Sequence, residues 1–251
     1  MIRRVAVIVP AADEQERIAA CLAAIDEARR QLLASDLGVV SVEVMVVLDA
    51  CTDGTAAIVA GFARAGHVRA ITTDARCVGA ARRLGAQAAI DSGGSPERLW
   101  LANTDADSAV PADWLTRMVA AAGAGTELVL GTVLPGAGLS AALRTAWLAP
   151  HHLIEGHPHV HGANLGIRAD TYLGLGGWNG ELSCDEDVDL ADRAAAAAEI
   201  PILRTASIPV LTSARIAGRA PNGFSSYMRH LRDQHARDQH SAAVRPSAAL
   251  A

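Results

Sequence analysis

Lysine is absent from this sequence, and all 22 of its Lys/Arg positions are arginine. Each of three mechanisms needs a lysine side chain, so a P-loop nucleotide site, a Schiff-base enzyme and a lysine general base are excluded. The formal net charge is −5, which argues against a broad nucleic-acid-binding face. The basic residues therefore serve local sites rather than a polyanion.

Paired cysteines and long apolar runs are also missing. The four cysteines form no CxxC pair, so we expect free thiols in a reducing compartment rather than a zinc knuckle or a redox dithiol. The first apolar run ends at Pro10 and acidic residues follow, so it is too short for a signal peptide. No run approaches the ~20 residues of a transmembrane segment. The sequence thus predicts a cytoplasmic location.

Aromatic residues make up only 3% of the chain. A groove that binds a long polysaccharide by ring stacking is therefore not expected, and a small ligand fits better. The segment 227–240 could form an amphipathic helix, but its bulky apolar residues are too few to favour binding to a membrane surface.

Strand and helix patterns alternate regularly through the first part of the chain. β-Branched runs predict strands at 5–10, 42–50, 67–73 and 98–105, and the segments between them, beginning with 13–34, have helical character. Such alternation predicts an α/β fold with a mostly parallel central sheet flanked by helices. We expect one domain over 1–235, with a nucleotide-binding half to about residue 110, an acceptor half after it, and a disordered tail at 236–251.

Polar residues follow the predicted strands at one edge of this sheet, where ligands bind in open α/β folds. Glu14 follows the first strand, Asp49 ends the second, and Arg76 precedes the third helix. Asp105 and Asp107 follow the fourth strand. An aspartate at a strand end is often only a helix cap or turn former, but features at four successive strands favour a binding site.

Asp105 and Asp107 stand one residue apart, where their like charges would repel each other. Carboxylate oxygens suit Mg²⁺ or Mn²⁺, which proteins hold through one or two carboxylates together with substrate phosphates. An EF-hand calcium loop is excluded because its sixth position, which requires glycine, is Val110. A diphosphate held through a divalent cation is the favoured interpretation.

Five segments, taken in order, resemble family 2 glycosyltransferases of the GT-A fold: VIVPAADE, VVLDACTDGT, RCVGAARRLG, NTDADS and CDEDVDL. The resemblance covers about residues 4–190. It departs from the usual family pattern at Leu48, the first position of the usual DDGS, where Ala50 and Cys51 also differ, and at Asp13, where asparagine is usual.

The resemblance implies roles for the strand-end residues. Pro10, Ala11 and Glu14 would line the nucleoside pocket. Asp49 would accept a hydrogen bond from the base, and Arg76 would lie near the base or the phosphates. On the diphosphate side, Asp105 would contact the ribose or the metal, and Asp107 would hold the metal.

Glu186 and Asp187 match the family's ED pair, in which the aspartate is the general base of an inverting transfer. A carboxylate on the acceptor side could take the proton of the attacking hydroxyl. The alternative is an acidic first turn of the predicted helix EDVDLADRAAAAA, stabilised by the helix dipole. In that position we expect backbone N–H groups to keep the pKa of Asp187 low.

The resemblance therefore implies a metal-dependent, inverting hexosyltransferase that moves a sugar from a nucleoside diphosphate, preferably UDP, to a small acceptor. Two rivals stay open: a non-catalytic nucleotide-sugar-binding module, and a sugar-phosphate nucleotidyltransferase, whose usual glycine-rich loop and lysine are missing from PAADEQER. A HAD-type phosphatase is disfavoured because its DxD ends the first strand. A homodimer is compatible with the sequence.

Two further clusters are less specific. Five histidines lie between residues 151 and 161. They form either a second metal site or a polar loop that lines a cleft. In the HGAN segment, His161, Gly162 and Asn164 stand where the family carries an acceptor-side motif. Arg215 and Arg219 form either a late lid over the diphosphate or a solvated surface, since arginine suits phosphate.

Overall fold

The computed structural model describes residues 1–136, 139–151, 153–197 and 199–215, together with residues 229, 230, 232, 233 and 237. The eight strands of this part of the chain are β1 (Arg4–Ala11), β2 (Ser41–Asp49), β3 (Val68–Thr73), β4 (Leu99–Asn103), β5 (Ser108–Ala109), β6 (Leu128–Pro135), β7 (Leu165–Arg168) and β8 (Ile202–Thr212). The helices are α1 (Ile18–Leu33), α2 (Thr55–Ala63), α3 (Val78–Asp91), α4 (Trp114–Gly123), α5 (Ala141–Leu148), α6 (Ala169–Gly174) and α7 (Glu186–Ala196).

All eight strands form one mixed sheet in the order β3-β2-β1-β4-β7-β6-β8-β5. The pairings among β3, β2, β1 and β4 are parallel, whereas β4–β7, β6–β7 and β5–β8 are antiparallel. The predicted α/β class with a central sheet is confirmed, and the parallel part is confined to the first half of the chain.

Register places the carboxyl ends of the parallel strands at one edge of the sheet. Ala11 at the end of β1 lies opposite Leu48, and Asp49 at the end of β2 lies opposite Thr73. Asn103, the last residue of β4, lies opposite Ile8 of β1. The loops that carry the predicted donor-site residues therefore leave the sheet side by side.

Buried side chains form one apolar cluster on each face of the sheet. One cluster includes side chains of α1, α2 and α4, with Trp100 and Trp114 among its members. The other includes side chains of α3, α6 and α7, with Trp178 among them. The alternating inward positions of the strands supply both clusters, as expected of a sheet covered on both faces.

Two elements differ from the sequence-based predictions, and for a third the structure selects one of two predicted alternatives. Helix α1 begins at Ile18 rather than at residue 13, because Asp13 adopts a left-handed conformation, φ 50°, that a helix cannot contain. The pattern HVHGANLGIR at 159–168 predicts a strand with a glycine bend, but the structure has a 3₁₀ turn at Gly162–Asn164 followed by the short β7. The segment 200–213, where the sequence predicts one or two short strands, forms one continuous strand, β8.

The chain divides into two compact units. The first comprises Met1–Leu134 and Leu153–Thr212, and the second comprises Pro135–His152 and Ser213–Ala251. In the second unit, α5 starts at a Ser140 cap whose hydroxyl accepts the N–H of Leu143. Apart from Arg237, the tail predicted at 236–251 lies outside the described residues.

Within the described ranges, no helix has both the length and the apolar character needed to cross a membrane.

Candidate functional site

Four residues other than glycine adopt positive φ within the described part of the chain, and all four border the carboxyl edge of the sheet. Asp13, Ala50 and Arg76 follow β1, β2 and β3, with φ of 50°, 49° and 50°, and Asp185, at 60°, precedes α7. Such conformations are costly for residues with a side chain and cluster at functional sites. This edge is therefore the candidate site.

The loops after β1 and β2 are joined by hydrogen bonds. The Asp13 Oδ1 accepts the N–H groups of Thr52 at 2.6 Å and Asp53 at 3.2 Å. The N–H of Glu14 donates to the Thr55 hydroxyl at 2.7 Å, and the Glu14 side chain is buried. These contacts hold the loop that follows Pro10 and Ala11, the last residues of β1, against the loop after β2.

Asp49 holds the loop that precedes α3. Its two carboxylate oxygens accept the main-chain N–H groups of Arg76 at 2.8 Å and Cys77 at 2.9 Å, and its side chain is buried. Arg76 itself is exposed and keeps its left-handed conformation. The structure thus brings Asp49 and Arg76 together, with Asp49 fixing the backbone from which the Arg76 side chain extends.

Asp105 and Asp107 lie in the turn between β4 and β5, and both are partly exposed. The Asp105 Oδ1 accepts from the Arg82 Nη2 at 2.6 Å. The Asp107 carboxylate lies 3.5 Å from the hydroxyls of Ser108 and Thr212, which the pairing of β5 with β8 places beside it.

The DxD pair fits a hard divalent cation in its donor chemistry. Asp107 offers a partly exposed carboxylate with two neutral hydroxyls beside it, and Asp105 is already balanced by Arg82. No group of three or more His, Cys, Asp or Glu side chains arranged to hold a metal occurs among the described residues. Magnesium commonly needs only one or two carboxylates when substrate phosphates supply further oxygens, so the two findings are compatible.

Arg82 on α3 is a buried charged residue that connects the two acidic motifs. Its Nε donates to the Glu186 Oε1 at 3.0 Å while its Nη2 donates to Asp105. Burial disfavours the charged form, but the Asp105 and Glu186 carboxylates outweigh burial and raise the pKa of Arg82. Sequence reasoning did not single out this residue.

A signal for Arg82 is nevertheless present in the sequence. Gly85, Ala86 and Ala89 follow Arg82 at helical spacings of three, four and seven residues, and all are buried on α3. An arginine on such a stripe of small residues must find charged partners inside the fold. The exposed neighbour Arg83 does not lie on this stripe.

Glu186 and Asp187 form the first turn of α7. Glu186 is buried against Arg82, whereas Asp187 is half-buried and points its carboxylate at the backbone of residue 162. The Gly162 N–H donates to the Asp187 Oδ2 at 2.5 Å, and the Val188 N–H donates to its Oδ1 at 2.8 Å. The HGAN segment and the ED pair, which are distant in sequence, are therefore in direct contact.

The prediction of a low pKa for Asp187 is wrong. Burial and the neighbouring charge of Glu186 raise the pKa from the ordinary 3.8 to about 6, although Arg82 and the N–H groups of Gly162 and Val188 act to lower it. A helix N-terminus lowers a carboxyl pKa where the group is solvated, but desolvation dominates here.

Gly162 packs against the Arg82 guanidinium. A Cβ at position 162 would lie 2.6 Å from the Arg82 Nη2, so a residue with a side chain would displace the arginine. The guanidinium carbon of Arg82 also lies 5.6 Å from the centre of the Trp178 ring. The glycine is therefore favoured by its close approach to Arg82 rather than by a turn.

Asn164 lies beneath the site rather than at its surface. Its side chain is fully buried, accepts the Trp114 indole N–H at 2.8 Å, and donates to the carbonyls of Thr132 at 2.8 Å and Ile208 at 2.7 Å. These contacts leave it no reach to an acceptor, so the expected acceptor contact is corrected to an anchoring position under the turn that carries Gly162.

Three of the predicted histidines form a row that ends at this turn. The rings of His157, His159 and His161 stack with centroid separations of 5.8 and 6.0 Å. His157 is buried and contacts the Thr205 carbonyl, whereas His161 is partly exposed. A second metal site is not found within the described ranges, and His152 lies outside them.

Arg215, the first of the two predicted lid arginines, belongs to the second unit. The main-chain N–H of Arg215 donates to the Ser213 hydroxyl at 3.3 Å. Arg219 lies outside the described residues.

The motifs, the mixed sheet and this edge site together define a nucleotide-sugar transferase fold of the GT-A class. The chain belongs to glycosyl transferase family 2, whose sequence pattern it matches over residues 6–157. The resemblance and the fold class inferred from the sequence are thereby confirmed. No curated protein is similar enough in sequence to count as a match.

Solved structures support the same fold. S. aureus TarS 1-349 in complex with UDP-GlcNAc superposes with a TM-score of 0.61 at 16% identity, over 91% of this chain and 65% of that one. Mannosyltransferase PcManGT from Pyrobaculum calidifontis, in complex with GDP-Man and Mn²⁺, gives 0.59 at 21% identity, over 100% of this chain and 66% of that one. This chain thus spans less than two thirds of the length of either structure.

Proposed function

We propose that this chain is a divalent-cation-dependent glycosyltransferase that moves a sugar from a nucleoside diphosphate to an acceptor hydroxyl with inversion of configuration. The observation that carries the proposal is the continuous set of contacts from Asp105 through Arg82 and Glu186 to Asp187. A nucleotide-binding module without catalysis would need Asp105 on the donor side but would not need the Asp187 carboxylate.

The donor side is proposed to lie at the loops after β1, β2 and β4. Pro10, Ala11 and Glu14 would line the nucleoside pocket, and Asp49 would hold the Arg76 loop against it. TarS carries UDP-GlcNAc and PcManGT carries GDP-Man in their structures, which supports a nucleoside-diphosphate sugar as donor here. We propose to test UDP-sugars first.

Asp107, with Asp105 beside it, is the proposed protein ligand of Mg²⁺ or Mn²⁺, and the Mn²⁺ in PcManGT supports this assignment. When bound, the cation would offset the negative charge that develops on the departing diphosphate, so no protein acid is needed there.

Asp187 is the proposed general base. Its carboxylate would take the proton of the acceptor hydroxyl while that oxygen attacks the anomeric carbon and the bond to the diphosphate oxygen breaks. A pKa of about 6 suits this role, because the group is ionised at neutral pH yet remains basic enough to accept a proton. Gly162 orients the carboxylate through its N–H.

The first experiment measures thermal stabilisation by UDP, GDP and other nucleoside diphosphates, each with and without Mn²⁺. The nucleotide that stabilises the protein then defines the sugar donors for an assay of diphosphate release with a panel of small hydroxyl acceptors. The product's anomeric configuration, read by NMR, distinguishes inversion from retention. Absence of binding by every nucleotide would contradict the proposal.

The second experiment compares Asp187→Asn with Asp192→Asn, an exposed carboxylate on the same helix. We expect Asp187→Asn to keep donor affinity and to lower turnover by roughly 10²–10⁴-fold, the usual contribution of a general base, with Asp192→Asn unaffected. Donor binding without transfer by the wild type would support the binding-module alternative. The homodimer and the cytoplasmic location stay predictions.

A further inference from the structure

The Arg82 side chain is buried, with only 2% of its surface exposed. It forms ion pairs with two carboxylates, Asp105, whose side chain is 39% exposed, and Glu186, whose side chain is 7% exposed. We propose that Arg82 is a positioning residue of the transfer reaction, which fixes the donor-side Asp105 and the Glu186–Asp187 turn relative to each other. This inference rests on the proposed function, because Arg82 can position Asp105 and the Glu186–Asp187 turn for catalysis only if sugar transfer takes place between them.

The geometry requires an arginine rather than a generic cation. The planar guanidinium donates through Nε to Glu186 and through Nη2 to Asp105 at the same time, along two directions fixed by its fork. A lysine ammonium is a point charge on a flexible stem and would not hold both carboxylates in this arrangement.

The guanidinium is itself held in place by its neighbours. The Gly162 backbone lies against it with no room for a Cβ, and Trp178 covers it within cation–π distance. Gly162 also donates to Asp187, so a shift of the arginine would be transmitted to the proposed base through a single residue. Arg82 thus contacts both the support of the base and the donor-side carboxylate.

A purely structural ion pair is the weaker explanation. Buried ion pairs contribute little net stability compared with apolar residues of similar volume. Moreover, the Arg82 Nη1 is buried without an acceptor in the described part of the chain, which a stabilising network would be expected to satisfy. The retained charge is therefore explained better by its effect on the reacting carboxylates.

Removal of the Arg82 charge has a specific electrostatic consequence. Burial and Glu186 raise the pKa of Asp187, and the positive charge of Arg82 opposes them. Without that charge, the pKa of Asp187 should rise further above 6, and the acid limb of the kcat/KM profile should move to higher pH. A residue with a structural role alone would not move this limb.

The test compares Arg82→Lys and Arg82→Gln with Arg83→Gln, an exposed arginine one position along α3. We expect Arg82→Lys to lower kcat by about 10²-fold, the scale of a small misplacement of catalytic groups, with little change in donor KM. Arg82→Gln should lose at least as much and also shift the acid limb upwards, whereas Arg83→Gln should behave as the wild type.

Folding is controlled by the double variant Arg82→Gln/Glu186→Gln, which removes the unbalanced buried carboxylate. All rates are taken per folded molecule, measured by thermal melting without nucleotide. Wild-type kcat in Arg82→Lys and in the folded double variant, or an unmoved acid limb in the single variant Arg82→Gln, would overturn the inference alone. A wild-type protein that binds nucleotide but transfers no sugar would overturn the proposed function and this inference together.

Discussion

Replacement of Asp187 by asparagine is predicted to stabilise the protein at neutral pH while it lowers turnover by roughly 10²–10⁴-fold. The folded state disfavours the charged carboxylate, because burial and Glu186 raise its pKa from 3.8 to about 6. Between these two values the folded state binds more protons than the unfolded chain, so stability falls as the pH rises through this window. The penalty is absent below about pH 4 and complete above about pH 6.

The size of the stability gain follows from the shift in the pKa of Asp187. Two pKa units at 1.36 kcal/mol each correspond to about 3 kcal/mol at neutral pH. Asparagine keeps one oxygen to accept the Gly162 N–H but leaves the Val188 N–H without its carboxylate acceptor, at a cost of about 1 kcal/mol. We therefore expect a net gain of about 1–3 kcal/mol, or roughly 2–12 °C in Tm.

The assay is urea unfolding at pH 4.0 and pH 7.5, followed by the fluorescence of the buried tryptophans. Asp192→Asn serves as the matched control, since its carboxylate is exposed on the same helix. Asp187→Asn should exceed the wild type in stability at pH 7.5 and approach it at pH 4.0. Equal differences at the two pH values would refute the reasoning, because they would show that the carboxyl pKa is not raised by folding.

Three further predictions concern the rest of the site. Asp107→Ala should abolish the Mn²⁺-dependent part of nucleoside-diphosphate binding in calorimetry, and an unchanged Mn²⁺ effect would contradict its assignment. Asp49→Ala should weaken nucleotide binding with and without metal, because it releases the backbone of the loop before α3; a loss seen only with metal would place Asp49 at the phosphates. Gly162→Ala should lower turnover by about 10²-fold at unchanged donor affinity, since its Cβ would push Arg82 away, and normal turnover would disprove that contact.

The donor half of the site was predictable from the sequence because each of its parts is encoded locally. A continuous β-branched run identifies a covered strand, and the residue that ends the run identifies the sheet edge. Asp49 and the segment from Asp105 to Asp107 were found in this way, and the structure places them at the ends of β2 and β4. The family match and the fold then followed from the order of these motifs.

The loop after β1 was not predictable by the same rules. Asp13, Glu14 and Glu16 read as the acidic first turn of a helix, but the helix starts at Ile18. The acidic Asp13 instead accepts hydrogen bonds from Thr52 and Asp53, about forty residues away. A local preference for acidic helix starts was overruled by a contact that no local pattern encodes.

The proposed acceptor half depends still more on distant contacts. Asn164 has the composition of a binding residue but fills its hydrogen bonds inside the core, while Arg82 looks like one of two adjacent surface arginines but lies inside. In both cases the side chain's partners come from other elements of the sheet and its covering helices. Composition therefore misassigned Asn164 and did not single out Arg82, which only helical phase could have separated from Arg83.

The pKa of Asp187 shows why the sequence could name this residue without describing its chemistry. Its position at the start of α7 is encoded locally and favours a strong acid, because the helix dipole and the N–H of the adjacent Val188 act in that direction. Its basicity instead results from burial and from the balance between adjacent Glu186 and distant Arg82. A general base that functions near neutral pH therefore requires α3 and α7 to be packed together, so the property on which the proposed transfer depends arises only on folding.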